Sequence, residues 1–416
     1  VYGTPVTLNM GGSMKFGLFY ELQTPRPLES DQWHEDDEFN IIQEALDQIE
    51  FADQLGFDYV FEVEHHFLEE YAHSSAPEVM LAAASQRTKN IRLGHGIIHM
   101  PVKHNHPARV AERISTLDLV SNGRVEFGTG EGGTFEAGGF GTKAEDKKAQ
   151  WEEATRECLR MMSELPYEGH KGRFFDMPAR NVIPKPRQKP HPPVWVAASR
   201  RETVMVAARL GIGALGFGFE TPEEAEDRVA NYWELVREEC MPIGKAINPA
   251  LVTVGNMMCR PTTEEAVDLA QGGSGFFSFS LGYGMPKNGE VRERQPGREH
   301  LFREYVEHQQ KIAASGGAID EPDDESARTL ARAAQTGFFT GSPELIRQNL
   351  RRYEEAHVDM ILMMVQVGDR NHEQTMESLE LFGKEVLPEF QERHHLHQQW
   401  REQQLDGIDF TVNSSI

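Results

Sequence analysis

Two adjacent histidines, His65 and His66, follow Glu64 at the end of a short apolar run. Imidazole titrates near neutrality, so the pair can supply a general acid or a hydrogen-bond donor; two satisfied structural histidines are the other reading. On a strand, neighbours point to opposite sides, so one ring would face the inside of the fold and the other would pack outward. A second chemical spelling is Ser199-Arg200, after an apolar run and before an amphipathic one. A hydroxyl, a guanidinium and the unpaired amides of a helix start would together bind a phosphate. An ordinary serine cap beside a solvated arginine is spelled the same way. His95, His99, His104 and His106 raise the question of a metal. There is no HEXXH pattern and no CxxC pair, and His104 and His106 fall in a proline-bounded loop, so no metal is expected. Gly128-Thr129-Gly130-Glu131-Gly132-Gly133 looks like part of a dinucleotide fingerprint, but its spacing is wrong and it comes late in the chain. It reads as a mobile loop that needs positive φ.

These residues need elements to hold them. Short β-branched and aromatic runs alternate with amphipathic stretches along the whole chain. Strands are expected at 15–20, 59–63, 91–98, 125–129, 194–197, 213–217, 251–258 and 360–367, with helices at 39–55, 76–87, 108–120, 144–165 and 202–210. Thr221-Pro222-Glu223-Glu224 is a capping box for a helix to about residue 239, Thr262 caps another, Ser342-Pro343-Glu344 starts another, and 372–392 is the last. Residues 166–193 read as an excursion between units, 272–298 as a glycine-rich aromatic loop, and 315–326 as an acidic flexible stretch. Eight strand-then-helix units predict an α/β fold of the (β/α)₈ (TIM) barrel type with insertions. A doubly wound sheet would use fewer strands or two domains. In such a barrel the site lies at the C-terminal ends of the strands, which is where His65, His99, the glycine run, Ser199 and Phe217 fall.

Composition narrows the function further. The chain has 416 residues, 39% of them hydrophobic, enough for a large core. Its net charge of -24 repels phosphate backbones and anionic lipid, so nucleic acid and membrane surfaces are not expected as partners. No run approaches the length of a bilayer span. Cys158, Cys240 and Cys259 are odd in number and widely spaced, which fits a reducing cytoplasm. Residues 1–13 lack a secretory pattern and read as added or leader residues, 14–393 as a single domain, and 394–416 as a polar C-terminal tail.

Several ordered segments carry a family resemblance. They are Met14-Lys15-Phe16-Gly17-Leu18-Phe19, Phe57-Asp58-Tyr59-Val60 with Glu64-His65-His66-Phe67, Asn105-His106-Pro107-Ala108-Arg109, Ser121-Asn122-Gly123-Arg124-Val125-Glu126-Phe127-Gly128, Pro193-Val194-Trp195-Val196-Ala197-Ala198-Ser199 and Gly341-Ser342-Pro343-Glu344. From Met14 to about Phe390 the chain resembles the bacterial luciferase-like flavin-dependent monooxygenases. The resemblance implies reduced FMN supplied by a separate flavin reductase, and oxygen added to the flavin as a hydroperoxide that then oxygenates a small organic substrate. It implies His65 as the catalytic histidine, oriented by Glu64, and Gly96 and Ile97 against the flavin ring. Ala198, Ser199, Arg200 and Thr203 would fall at the phosphate end. Phe217 and Phe219 would line the substrate pocket, with Phe61, Phe276, Phe277 and Phe279 as further candidates for an apolar or aromatic substrate. A homodimer through the second and third helices is implied as well. Glu131 departs from the pattern, standing where luciferase has a phosphate-contacting arginine; Arg200 or Lys148 would then meet the phosphate. A deazaflavin coenzyme serving a dehydrogenase or reductase, or a non-catalytic flavin-binding protein, is the alternative on the same fold.

Overall fold

The computed structural model describes residues 14–217, 221–284, 300–314 and 336–416. Its strands are β1 (Lys15–Tyr20), β2 (Tyr59–Glu62), β3 (Arg92–His95), β4 (Ile98–His99), β5 (Val125–Gly130), β6 (Tyr167–Lys171), β7 (Asp176–Arg180), β8 (Val194–Ala197), β9 (Gly213–Phe217), β10 (Leu251–Cys259), β11 (Phe339–Gly341) and β12 (Met360–Met364). Its helices are α1 (Asp37–Leu55), α2 (Pro77–Arg87), α3 (Pro107–Val120), α4 (Thr134–Gly139), α5 (Lys147–Ser163), α6 (Arg201–Leu210), α7 (Pro222–Glu239), α8 (Thr263–Gly284), α9 (Leu301–Ala314), α10 (Pro343–Glu355), α11 (His372–Glu385), α12 (Leu387–Glu392) and α13 (His394–Leu405).

Eight parallel strands close on themselves in the order β12, β1, β2, β3, β5, β8, β9, β10 and back to β12. The register is set by the alternation of side chains. Gly17 pairs with Tyr59 and Lys15 with Met360, so inward residues of neighbouring strands share layers. Phe61, Tyr59 and Trp195 fill the barrel interior with β-branched and aliphatic neighbours. Glu126 accepts from Trp195 Nε1 at 2.6 Å and pairs with Arg92, so this buried acid is satisfied. The outer faces of the strands meet the helices in a second, larger core. The (β/α)₈ barrel expected from the pattern is therefore the fold of this chain.

Helix starts follow their caps. Thr221 accepts from Glu224 N while Glu224 reaches back to Thr221 N, which is the capping box read from the sequence. His106 Nδ1 accepts from Ala108 N at 3.2 Å, so this histidine caps α3.

Four expectations need correction. The third strand is broken: β3 stops at His95, and β4 pairs with β5 two residues later. Residues 272–284 are not loop but the second half of α8, because Phe276 buries against α9 and Phe277 against the barrel; 285–298 and 315–326 lie outside the described residues, as do 1–13. The excursion holds an antiparallel hairpin, β6–β7. The polar end of the chain is tied down. Asp359, fully buried, pairs with Arg401 and accepts from His397 Nε2 at 3.1 Å, which fixes α13. Beyond it Ser415 O accepts from Tyr59 OH at 2.7 Å and Ile416 enters the core cluster of Tyr59, Phe61 and Trp195, closing the N-terminal end of the barrel. Among the described residues no helix is long and apolar enough to cross a membrane.

Candidate functional site

The C-terminal ends of β1, β2 and β4, together with α4, bring three carboxylates and four imidazoles into one cluster. Glu21 follows β1, Glu64 to His66 follow β2, His99 ends β4, and His104 lies in the turn before α3. Glu136 comes from α4, whose short turn follows Gly132 at φ 70°. That positive φ is open to glycine and lets the chain fold back over His99.

His65 lies at the centre. Its Nδ1 is 2.9 Å from Glu136 Oε1 and its Nε2 is 3.5 Å from Glu21 Oε2. Burial alone would lower its pKa, but Glu136, then Glu21 and Glu64, outweigh it and lift the ring to about 9. The carboxylates thus favour the protonated ring at neutral pH, with Nδ1 donating to Glu136 and the side chain 24% exposed. Glu136 is 2% exposed and accepts from His65, from His66 N at 2.9 Å and from Gly133 N at 2.8 Å. Burial pushes its pKa up, yet the charge and hydrogen bond of His65 hold it well below the usual carboxylate range. Glu21, 1% exposed, differs. Burial lifts it to about 7 against the pull of His65 and of the Tyr71 hydroxyl, which donates at 3.2 Å. Among the described residues its Oε2 makes no hydrogen bond.

Glu64 serves the other histidines. It accepts from His66 Nε2 at 2.9 Å, Asn105 Nδ2 at 2.8 Å and His99 N at 2.8 Å. Glu136 and Glu21, not Glu64, hold the His65 ring. His66 does not pack outward either, because β2 ends at Glu62 and strand alternation no longer governs residue 66. Its ring meets Phe140 at 4.8 Å and His99 at 5.7 Å between centroids, beside the same cluster.

About one strand further round lies a charged corner. Arg200 is the N-cap of α6, and its Nη2 is 3.5 Å from Glu131 Oε1. Lys147, 8% exposed, donates to Gly132 O at 2.6 Å and feels the charges of Glu131, Glu136 and Arg200. Lys148 is exposed, so the second cation here is Lys147. Arg200 and Lys147, with Glu131 and Glu136 near them, lie beside the start of α6, where helix amides can meet an anion. Ser199 is exposed and Thr203 half-buried one turn into α6; Ala198 is buried, its N–H donating to Leu215 O at 2.8 Å. Gly96 and Ile97 link β3 to β4. A Cβ at Gly96 would come within 2.7 Å of the Phe19 ring, and one at Gly130 within 2.4 Å of Ile97. Phe217 ends β9, its strand paired with β10 through Val254; Phe219 lies outside the described residues. Of the other phenylalanines, Phe61 is barrel core, and Phe276 and Phe279 pack on α9. Phe277 stacks on Tyr71, whose ring lies 5.7 Å from His65. His95 faces away from the cluster toward Glu126 O, and His106 is a helix cap, so only His99 and His104 of the four spaced histidines meet.

Sequence reasoning missed Glu21, Glu136, Tyr71 and Lys147. Glu21 had a signal, since it directly follows the first strand. Glu136 had none, because its glycine-rich setting reads as loop.

Comparison with known proteins bears on the family and the fold. The oxygenase component of a flavin-dependent trigonelline monooxygenase from Acinetobacter baylyi is 23% identical over 387 residues, 91% of this chain and 96% of the relative. The FMN complex of the oxygenating constituent of 3,6-diketocamphane monooxygenase from Pseudomonas putida superposes with TM-score 0.65 at 18% identity, covering 91% of this chain and 99% of that one. The coenzyme F420-dependent tetrahydromethanopterin reductase from Methanopyrus kandleri does so with TM-score 0.61 at 17% identity, over 91% and 99%. At those identities the two structures speak for the fold alone. The model of the luciferase-like monooxygenases matches residues 14–360, and the chain belongs to that family.

Proposed function

We propose that this chain is the oxygenase component of a two-component flavin monooxygenase, using reduced FMN from a transient flavin reductase and molecular oxygen to oxygenate a small organic substrate. The observation that carries the reading is His65: a ring kept protonated by Glu136 and Glu21 at the C-terminal mouth of the barrel, a quarter open to the space above it. The family and the trigonelline relative, an oxygenase component by name, support it. Reduced FMN, when bound, would supply the electrons that activate oxygen.

The residues have separable tasks. Arg200, Lys147 and the amides of α6, with Ser199 and Thr203 beside them, would hold the phosphate, while Gly96, Ile97 and Ala198 back the ring. His65 would donate a hydrogen bond from Nε2 to a developing anion, and Glu136 keeps the proton on the ring between turnovers. Glu21, with an unbonded oxygen facing the same nitrogen, can take that proton and return it. Tyr71 and Phe277 form an apolar wall beside His65, in keeping with an apolar or aromatic substrate.

The chain should act as a homodimer through α2 and α3, where Val79, Leu119 and Val120 are exposed. Its three free cysteines fit a cytoplasmic setting. Oxygen uptake by the purified chain with a flavin reductase, NADH and FMN, screened over a panel of apolar substrates, tests the reading. Substrate-dependent uptake supports it. Hydride transfer to a deazaflavin without oxygen uptake would replace it with the dehydrogenase reading, which the Glu21–His65 proton pair also accommodates.

A further inference from the structure

The donor atoms around His65 have a second use that the flavin reading does not require. Zinc-class ions bind nitrogen and oxygen at about 2.0–2.2 Å, so tetrahedral ligand atoms lie about 3.3 Å apart. His65 Nδ1 and Glu136 Oε1 are 2.9 Å apart, and His99 Nε2 and Glu136 Oε1 3.8 Å. The three donor atoms lie within 4.8 Å of one another. Shifts of about half an ångström would bring each histidine to bonding separation from Glu136 Oε1.

The outer shell is already in place. A histidine that binds a metal normally gives its other ring nitrogen to a fixed acceptor, which sets its tautomer and its angle. His65 would bind through Nδ1, whose proton the ion displaces to solvent, while Nε2 faces Glu21 Oε2 at 3.5 Å, an oxygen with no hydrogen bond among the described residues. His99 would bind through Nε2 while Nδ1 lies 3.3 Å from His104 Nδ1. Glu136 would bind through Oε1 while Oε2 accepts from Gly133 N at 2.8 Å. All three candidate ligands are thus oriented from behind by β1, the turn before α3, and the start of α4. Glu64, His66 and His99 make another close trio that shares His99, and Glu64, like Glu136, already accepts three hydrogen bonds. His65 is the exposed member, so a fourth position would open to the site mouth, as in metal centres that exchange a ligand.

We propose that His65, His99 and Glu136 form a binding site for one divalent transition-metal ion of the zinc class, with its fourth position open. An ion there would occupy the nitrogen that Glu136 otherwise orients and would block the site reversibly.

The test uses the full chain, stripped with chelator and free of flavin, so that it stands apart from the flavin reading. Equilibrium dialysis against Zn²⁺ should give one ion per chain, and Co²⁺ should develop the intense visible absorption of a four-coordinate site. Glu136→Gln and His99→Ala should each weaken Zn²⁺ at least about 100-fold, and His104→Ala, which removes only the outer partner, about 10-fold. Melting curves would show whether each variant is folded; Glu136→Gln keeps the shape of the side chain and serves if His99→Ala does not fold. Absence of stoichiometric Zn²⁺, or equal affinity in Glu136→Gln and the parent, would overturn the site.

Discussion

Replacing Glu131 with glutamine should tighten the binding of FMN about tenfold. Glu131 Oε1 lies 3.5 Å from Arg200 Nη2 at the start of α6, where the phosphate is expected. A phosphate that takes the other edge of Arg200 would sit about 5 Å from the Glu131 carboxylate. In a water-like dielectric each pair of unit charges at that distance costs about 0.8 kcal/mol, and a dianion about 1.5 kcal/mol. That is about one factor of ten in Kd. The Glu131–Arg200 pair is solvent-exposed, so its loss should change stability by less than about 1 kcal/mol. Quenching of FMN fluorescence on titration with protein measures the effect, and riboflavin, which has no phosphate, is the control. The gain should shrink as salt is raised, because charges at this surface are screened. Equal FMN affinity in the two proteins, or an equal gain for riboflavin, would show that the phosphate does not lie at Arg200.

Other outcomes follow from the same contacts. His65→Ala should retain flavin binding and lose turnover by about 10² to 10⁴, as measured with saturating reductase; parent-like turnover would remove His65 from the chemistry. Burial alone would raise the pKa of Asp359, but Arg401, His397 and Leu251 N hold it below its ordinary value. A depressed folded pKa gives stability that is present above the unfolded value of about 3.9 and lost as pH falls through the folded one. Asp359→Asn should therefore cost about 3 to 5 kcal/mol at pH 7 and flatten the acid limb of a melting profile below about pH 4; an unchanged acid limb would contradict this. Gly128→Ala should cost about 3 kcal/mol or prevent folding, since its Cβ would fall 1.7 Å from His95 O, which is backbone and cannot turn aside; urea titration reads it.

The barrel was legible because its signals are periodic and local. Apolar runs at strand spacing, and caps such as Thr221-Pro222-Glu223-Glu224, recur with each unit and appear in the structure at nearly the same residues. Boundaries failed where tertiary contacts override composition. Gly272, Gly273 and Gly275 read as loop, yet α8 runs through them because Phe276 and Phe277 bury completely. Val412 to Ile416 read as polar tail, yet they are held by Ile247, His191 and Tyr59 at the base of the barrel. The site was half legible. His65 is marked by its place after a strand, but its partners Glu136 and Glu21 lie 71 and 44 positions away, and no spacing rule links them. The four histidines from 95 to 106 looked like one cluster in sequence, and the fold separates them: His95 faces out of the site, His106 caps α3, and only His99 and His104 join.

Rapid mixing shows whether His65 manages reduced flavin and oxygen. Reduced FMN, held anaerobically with excess protein, is mixed with oxygenated buffer, and flavin reoxidation is followed for the parent and for His65→Ala. The parent should reoxidise bound FMN along a time course distinct from that of free flavin, and His65→Ala should shift it toward the free-flavin course. Reoxidation indistinguishable from free flavin in the parent, under conditions where binding is complete, would contradict it.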